Sequence, residues 1–250
     1  MQAHDPVKYV KELDFQDVRE AFPMERGGQA PDMVEGVEQS FLNAKSLVSF
    51  VSEINGQRRS DVLNSVLLAQ LAANKKFPDE NQLVDWYKTF VSVLTNLGWA
   101  IQGGEFSTFQ ANGTVFDAEN AIISILSAAF GGSFMVVITK TLDAIKGLSD
   151  SNGKITVFEK NTHSFSKGAF QIGLVSEANG ALSLQIGTFL VTSKNEIKKI
   201  LFFKSTKDTT QLNYCSRTGT LNEELYAKIR TQIQDKLGGR MTEFIAEIEL

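Results

Sequence analysis

The chain has 250 residues, with 25 Lys and Arg against 29 Asp and Glu for a formal net charge of −4, and 42% hydrophobic against 22% charged residues. That balance suits a soluble protein long enough to bury a real core, and it leaves no basic excess to draw in nucleic acid. A single cysteine, Cys215, and two histidines, His4 and His163, exclude an internal disulfide, a cysteine-rich zinc site and a His-rich metal site.

Packing alone must therefore hold the fold, which suits a reducing compartment or export by a route that needs no disulfides. The N-terminal MQAHDPVKYVKELDF has neither the apolar run of a secretory signal nor a Gly at position 2 for myristoylation. Residues 1–31 read as an arm or linker, or as a short strand, ending in the loose RGGQAP; residues 32–250 read as one domain. From Met33 the residues Val34, Val37, Phe41, Ala44, Val48 and Val51 recur at three and four, which predicts a helix stopped by Asn55-Gly56. Ser60 then caps a second apolar run, and Phe77-Pro78-Asp79 opens a third helix, with Asp79 and Gln82 placed as a capping box and Gly98 as its end. WAIQGGEFSTFQANG predicts a strand broken at Gly103-Gly104. Its aromatics Phe106 and Phe109, with Trp86 and Trp99, are core residues or interfacial anchors.

Between Glu119 and Lys140 no residue is charged. A run of that length can cross a bilayer as one helix, but Gly131-Gly132-Ser133 at its centre divides it into two. Ile122, Ile125, Leu126, Ala129 and Phe130 share one face of the first helix; Phe134, Val137, Ile138, Leu142 and Ile145 share one face of the second. Two readings stand. The hairpin covers a sheet as ordinary core, or it detaches on the glycine hinge Gly131 and Gly132 and lies in a bilayer interface, where Ile122, Ile125, Leu126, Phe130, Phe134, Val137, Ile138 and Leu142 would contact lipid.

After Leu148 the period changes from 3.6 to 2. Ile155 and Val157, then Phe170, Ile172 and Leu174, then Leu182, Leu184 and Ile186 predict strands, followed by IKKILFFK and TTQLNYC. Asn179-Gly180 is a two-residue hairpin signal, and Asn152-Gly153 leads into the first strand. Thr220 with Glu223 predicts a capping box for a helix ended by Gly238-Gly239, and MTEFIAEIEL fits a helix or an edge strand. Short connections predict antiparallel pairing, so the expected fold is α+β: an antiparallel sheet of about five or six strands with helices packed on it.

SAAFGGSF, then VVITKTLDAIKGL, then GAFQIGLVSEANGALSLQIGTFLV and EIKKILFFK form a recognisable succession. Over these segments, Asp117 to Phe203, the chain resembles the Cyt-type cytolytic δ-endotoxins of insect-pathogenic bacilli. It is also similar to the distantly related Evf-type virulence factor of plant- and insect-associated enterobacteria. The likeness lies in pattern and element order; three helices precede the first clear strand here, where the toxins have a single helical hairpin. The resemblance implies a three-layer α/β/α sandwich whose helical hairpins flank the sheet. It further implies a soluble protein, exported without a conventional signal peptide, that acts at a host cell membrane. Its partner would be lipid, with a homo-oligomer on the membrane as a candidate assembly, and its action cytolytic or pore-forming. No cofactor is implied beyond a bound fatty acid or lipid. The Evf-type protein carries a fatty acyl thioester on a cysteine whose place falls near Leu184. Cys215 lies two strands later, so acylation is not carried over to it, and a small buried packing residue is its expected role.

HExxH, GxSxG, P-loop and GxGxxG patterns are absent, and a protein without enzymatic activity is the expectation. The alternatives to a membrane-perturbing protein are a non-lytic lipid- or acyl-binding factor and an interaction domain that never meets lipid.

Overall fold

A strand buried on both faces loses the alternation of apolar and polar residues, and much of the sheet in this protein is of that kind. The computed structural model describes residues 5–15, 31–132, 135–148 and 152–250. In chain order these form α1 (Pro6–Glu12), β1 (Gln39–Asn43), β2 (Ser46–Phe50), α2 (Gly56–Lys76), α3 (Leu83–Asn96), β3 (Trp99–Gly103), β4 (Ser107–Thr108), β5 (Val115–Asp117), α4 (Ala118–Phe130), α5 (Met135–Gly147) and α6 (Gly153–Thr162). There follow β6 (Lys167–Ala178), β7 (Ala181–Ser193), β8 (Lys204–Thr206), β9 (Thr210–Leu221), α7 (Glu223–Leu237), α8 (Met241–Phe244) and β10 (Ile245–Ile248). The main sheet has eight strands in the order β10-β1-β2-β6-β7-β9-β3, with β4 also on β9.

The α+β fold is present, with a larger sheet than the five or six antiparallel strands expected. It is mixed: β2 pairs with β6 in parallel. The chain between them crosses over through α2 to α6, the long connection that parallel neighbours need. At the centre, Asn179 and Gly180, at φ 53° and 78°, turn β6 into β7 as their signal requires, and those two strands pair along their whole length.

Several expected elements are of the other type. Met33 to Val51 is no helix but the β1–β2 hairpin, closed by Ala44 and Lys45. Phe41 and Val48 enter one core while Leu42 and Leu47 enter the other, so apolar residues on both faces of a strand pair imitate a helical stripe. Asn55-Gly56 starts a helix where a stop was expected: the Asn55 side chain accepts from Arg58 N–H at 3.0 Å, and Ser60 lies within α2. Asn152 likewise caps α6, so Ile155 and Val157 are helical rather than extended. IKKILFFK forms a 3-10 turn at Ile200–Phe202 that leads into β8, which pairs with β5 outside the main sheet. Thr220 still belongs to β9, and Asn222 caps α7 in its place, accepting from Leu225 N–H at 3.0 Å. Within the expected arm, Pro6–Glu12 is a helix whose Val10 is buried, with Lys11 O accepting from Lys236 on α7.

Two cores lie on the two faces of the sheet. One is built by α1, α2, α3, α7 and α8, the other by α4, α5 and α6. The first layer is fastened through buried charge. Arg59, 0% exposed, donates to the carbonyls of Ile54 (2.6 Å), Val37 (2.7 Å) and Val51 (3.2 Å), and to Gln39. Asp61, 1% exposed, takes a bidentate pair from Arg230 on α7 at 2.7 and 2.9 Å. Removing one partner of such a contact strands polar groups in the interior, so Arg59→Met should cost about 3 kcal/mol. For a chain of this size that lowers the melting temperature by roughly 6–12 °C. An unchanged melting temperature would mean that the carbonyls around Arg59 find water instead.

Candidate functional site

The second layer is fastened differently. Asp117 ends β5 and caps α4, accepting from Asn120 N–H at 3.2 Å, while its Oδ2 lies 2.8 Å from Lys204 Nζ on β8. Burial raises the Asp117 pKa, but the Lys204 ammonium and the N–H groups of Asn120 and Glu119 outweigh it, leaving the carboxyl below its usual value. From this start the helical period directs Ile122, Ile125, Leu126 and Phe130 at the sheet. Gly131, at φ 82°, ends the helix, and its N–H donates to Ser127 O at 3.1 Å. Ser133 and Phe134 lie outside the described residues. On α5 the inward residues are Val137, Ile138, Leu142 and Ile145, while Val136 is 55% exposed.

Leu126 packs against bare backbone on β7. A Cβ on Gly187 would stand 2.6 Å from Leu126 Cδ2, so the glycine is what lets α4 approach this closely. Beside it, Phe170 and Phe189 stack at 5.0 Å across β6 and β7. The polar contact beneath α5 is a cluster of hydroxyls: Thr141 Oγ1 lies 2.7 Å from Ser40 Oγ and 3.5 Å from Ser49 Oγ, and Thr141 donates to Val137 O. Around the rim, Lys140 pairs with Glu38 at 2.9 Å and Lys146 with Glu119 at 2.7 Å, both lysine side chains being more than half exposed. Among the described residues, this core holds no buried charged side chain of the kind that Arg59 and Asp61 provide opposite.

Of the residues expected to contact lipid, Ile122 (1%), Ile125 (6%), Leu126 (0%), Phe130 (9%), Val137 (4%), Ile138 (1%) and Leu142 (1%) are all turned into this core. They belong to one continuous core, in which α4 meets β7 through Leu126 and Gly187 while α5 lies against β2 and β10. The hinge candidates Gly131 and Gly132 have open space where a Cβ would be. Cys215 is buried on the opposite face, its thiol donating to Gly104 O at 3.0 Å and lying 3.8 Å from Tyr87 OH. Leu184 is buried on that same face, so neither position reaches the hairpin core. Trp86 and Trp99 are core residues, with Phe106 half-buried beside them. The hydroxyl cluster and Gly187 carry no motif in the sequence. A glycine inside a strand signals a close approach, but which helix makes it is set by the fold.

Among the described residues no helix is long and apolar enough to cross a membrane, and no group of three or more His, Cys, Asp or Glu is gathered where it could hold a metal. No family model matches the chain, and no curated protein does. Among solved structures, the chain is similar to the Evf virulence factor with a TM-score of 0.38 and 14% identity, over 86% of this chain and 85% of that one. The α+β assignment rests on the sheet and its two helical layers.

The fit of α4 on β7 is open to a double-mutant cycle. Gly187→Ala alone should cost about 1–3 kcal/mol by overpacking, and Leu126→Ala alone about 2–5 kcal/mol by leaving a cavity. Together they should cost at least about 1 kcal/mol less than the sum, because the truncated leucine makes room for the new methyl; strict additivity would separate the two sites. The Asp117 tie has its own signature. A carboxyl whose folded pKa is depressed adds stability above its unfolded pKa and loses it as pH falls through the folded value. Hydrogen-exchange protection at the start of α4 should therefore persist through mild acid and fail only below the usual carboxylate range.

Proposed function

We propose that this protein acts on lipid bilayers, and that its α4–α5 hairpin is the element that leaves the fold to do so. The observation that supports this reading is the asymmetry between the two helical layers. One is bolted through buried Arg59 and the Asp61–Arg230 pair; the other meets the sheet through apolar side chains and a hydroxyl cluster, with its ion pairs at the solvent-exposed rim. Lifting the second layer uncovers hydrocarbon but no buried charge.

Energetics then select the medium. Nine large apolar side chains of the hairpin are buried, from Ile122 to Ile145, at about 1.5–3 kcal/mol each. Exposing them to water would cost roughly 15–25 kcal/mol, more than the whole stability of an ordinary domain. In a bilayer interface the same surface is buried again. Each helix has 13 residues, about 20 Å against a hydrocarbon core of about 30 Å, so the hairpin is suited to lying in the interface rather than spanning. Strands β6 and β7, whose Phe170 and Phe189 share the hairpin's core, have 12 and 13 residues, and about 9–11 suffice to cross. Bilayer disruption of the cytolytic kind, export to reach a host membrane, and the absence of an enzymatic step belong to this proposal, as does an oligomer assembled on the lipid.

A covalent lock tests it. With Leu126→Cys and Gly187→Cys in a Cys215→Ala background, the oxidised protein should release no trapped dye from liposomes, and reductant should restore release. Full release by the cross-linked protein would overturn hairpin detachment. Flotation of the unlocked protein without any release would favour a non-lytic lipid binder on the same fold.

A further inference from the structure

Beside the hairpin's point of entry, a cleft of about 890 Å³ lies open between α6 and the segment from Glu196 to Lys204. Its floor is apolar: Ile155, Ile197 and Phe203 are buried and Phe202 is half-buried. Lys160, Lys198, Lys199 and Lys204 stand round its rim, and Phe165, 66% exposed, projects at the edge.

Two carboxylates also line the cleft, and one is occupied. Glu159 Oε2 accepts from Ile200 N–H at 3.0 Å and lies 2.8 Å from His163 Nε2; Glu196 stands 3.9 Å from Lys198. Lys204 is shared with Asp117. The rim therefore remains cationic, on a chain whose net charge is −4. Lysines are common on any surface. Here they surround a cleft with an apolar floor in which Phe202 is half-buried, beside a phenylalanine turned to solvent, and a soluble domain gains nothing from that arrangement by itself.

We propose that this cleft is a docking site for the surface of an anionic bilayer, used by the intact fold before the hairpin moves. Lys160 and Lys198 meet lipid phosphates, Phe165 enters the boundary between headgroups and acyl chains, and the upper part of a chain rests on the half-buried Phe202. A small soluble anion would leave the apolar floor and Phe165 unused, and an open cleft does not enclose a whole acyl chain as a carrier would. The mixture of cationic rim and apolar surface suits a membrane interface, where both halves are satisfied together. The position also matters: Phe203 O accepts from Ala118 N–H at 2.9 Å, and Lys146 lies 5.6 Å over the Phe202 ring, so docking here brings the start of α4 to the lipid. This inference rests on the lipid reading above for its occupant, and not on hairpin release.

Flotation with phosphatidylcholine vesicles, with and without phosphatidylglycerol, tests it in three proteins: wild type, the oxidised cross-linked protein carrying Leu126→Cys and Gly187→Cys in the Cys215→Ala background, and a docking variant. The docking variant is Lys160→Glu with Lys198→Glu, on exposed side chains, and Phe165→Ser is made separately. Wild type and locked protein should both float with phosphatidylglycerol vesicles and not with phosphatidylcholine alone, and added salt should weaken the association. The double charge reversal should lower partitioning at least about tenfold, and Phe165→Ser should lower it with less change in salt dependence. Equal flotation of the charge-reversed protein would overturn the site, as would equal binding to phosphatidylcholine or displacement by inorganic phosphate at matched ionic strength. Because the cleft is scored by flotation and hairpin detachment by dye release from the cross-linked protein before and after reduction, failure of the one and failure of the other give different patterns.

Discussion

Burial of β6 and β7 on both faces is the constraint on which the rest of this structure depends. The two strands are long, are joined by a tight Asn179-Gly180 turn and are apolar on each side, so they cannot stay in water without cover above and below. The chain before them and the chain after them supply that cover. The parallel β2–β6 pairing is compatible with this cover, because the chain between the two strands is the long helical crossover that parallel neighbours need.

The two covers are not equivalent, and the difference is electrostatic. On one side α2 is buried nearly all round, and its Arg59 and Asp61 are held by carbonyls and by Arg230. Separating such groups leaves uncompensated charge in the interior, which is among the most costly changes a core can undergo. On the other side the hairpin meets the sheet through hydrocarbon and the Thr141 hydroxyl, set against Ser40 and Ser49, with rim ion pairs whose exposed lysines water can take over at small cost. The cost of losing apolar burial is the largest tie on that layer, and an apolar medium would remove that cost.

The lysine-edged cleft next to α4 fits the same logic from outside. If the protein acts on lipid as proposed, long-range attraction to anionic headgroups would bring it to the surface before any hydrocarbon is exposed. The Asp117–Lys204 contact stands where the cleft and the hairpin's N-terminus join, and Ile155, Ile197 and Phe203 of the cleft floor belong to the hairpin's core.

Much of this was legible along the chain. The division of the uncharged run at Gly131, the inward faces of α4 and α5, the β6–β7 turn and the absence of any disulfide depend on local chemistry: left-handed backbone angles, helical period, a residue count. The β1–β2 hairpin and α6 differ from expectation for related reasons. Strands that face two cores carry apolar residues at both parities, and a short amphipathic helix such as α6 carries too few residues for its period to differ from a strand's. Asn55, Asn152 and Asn222 cap helices in places where asparagine or glycine also suits a stop or a turn, and only the completed backbone decides between them. What tertiary structure alone decided is where charge is buried. Arg59 and Lys140 look alike in a sequence, yet one is sealed beneath a helix and the other lies at a rim, because burial is a property of the whole packed chain and not of any segment of it.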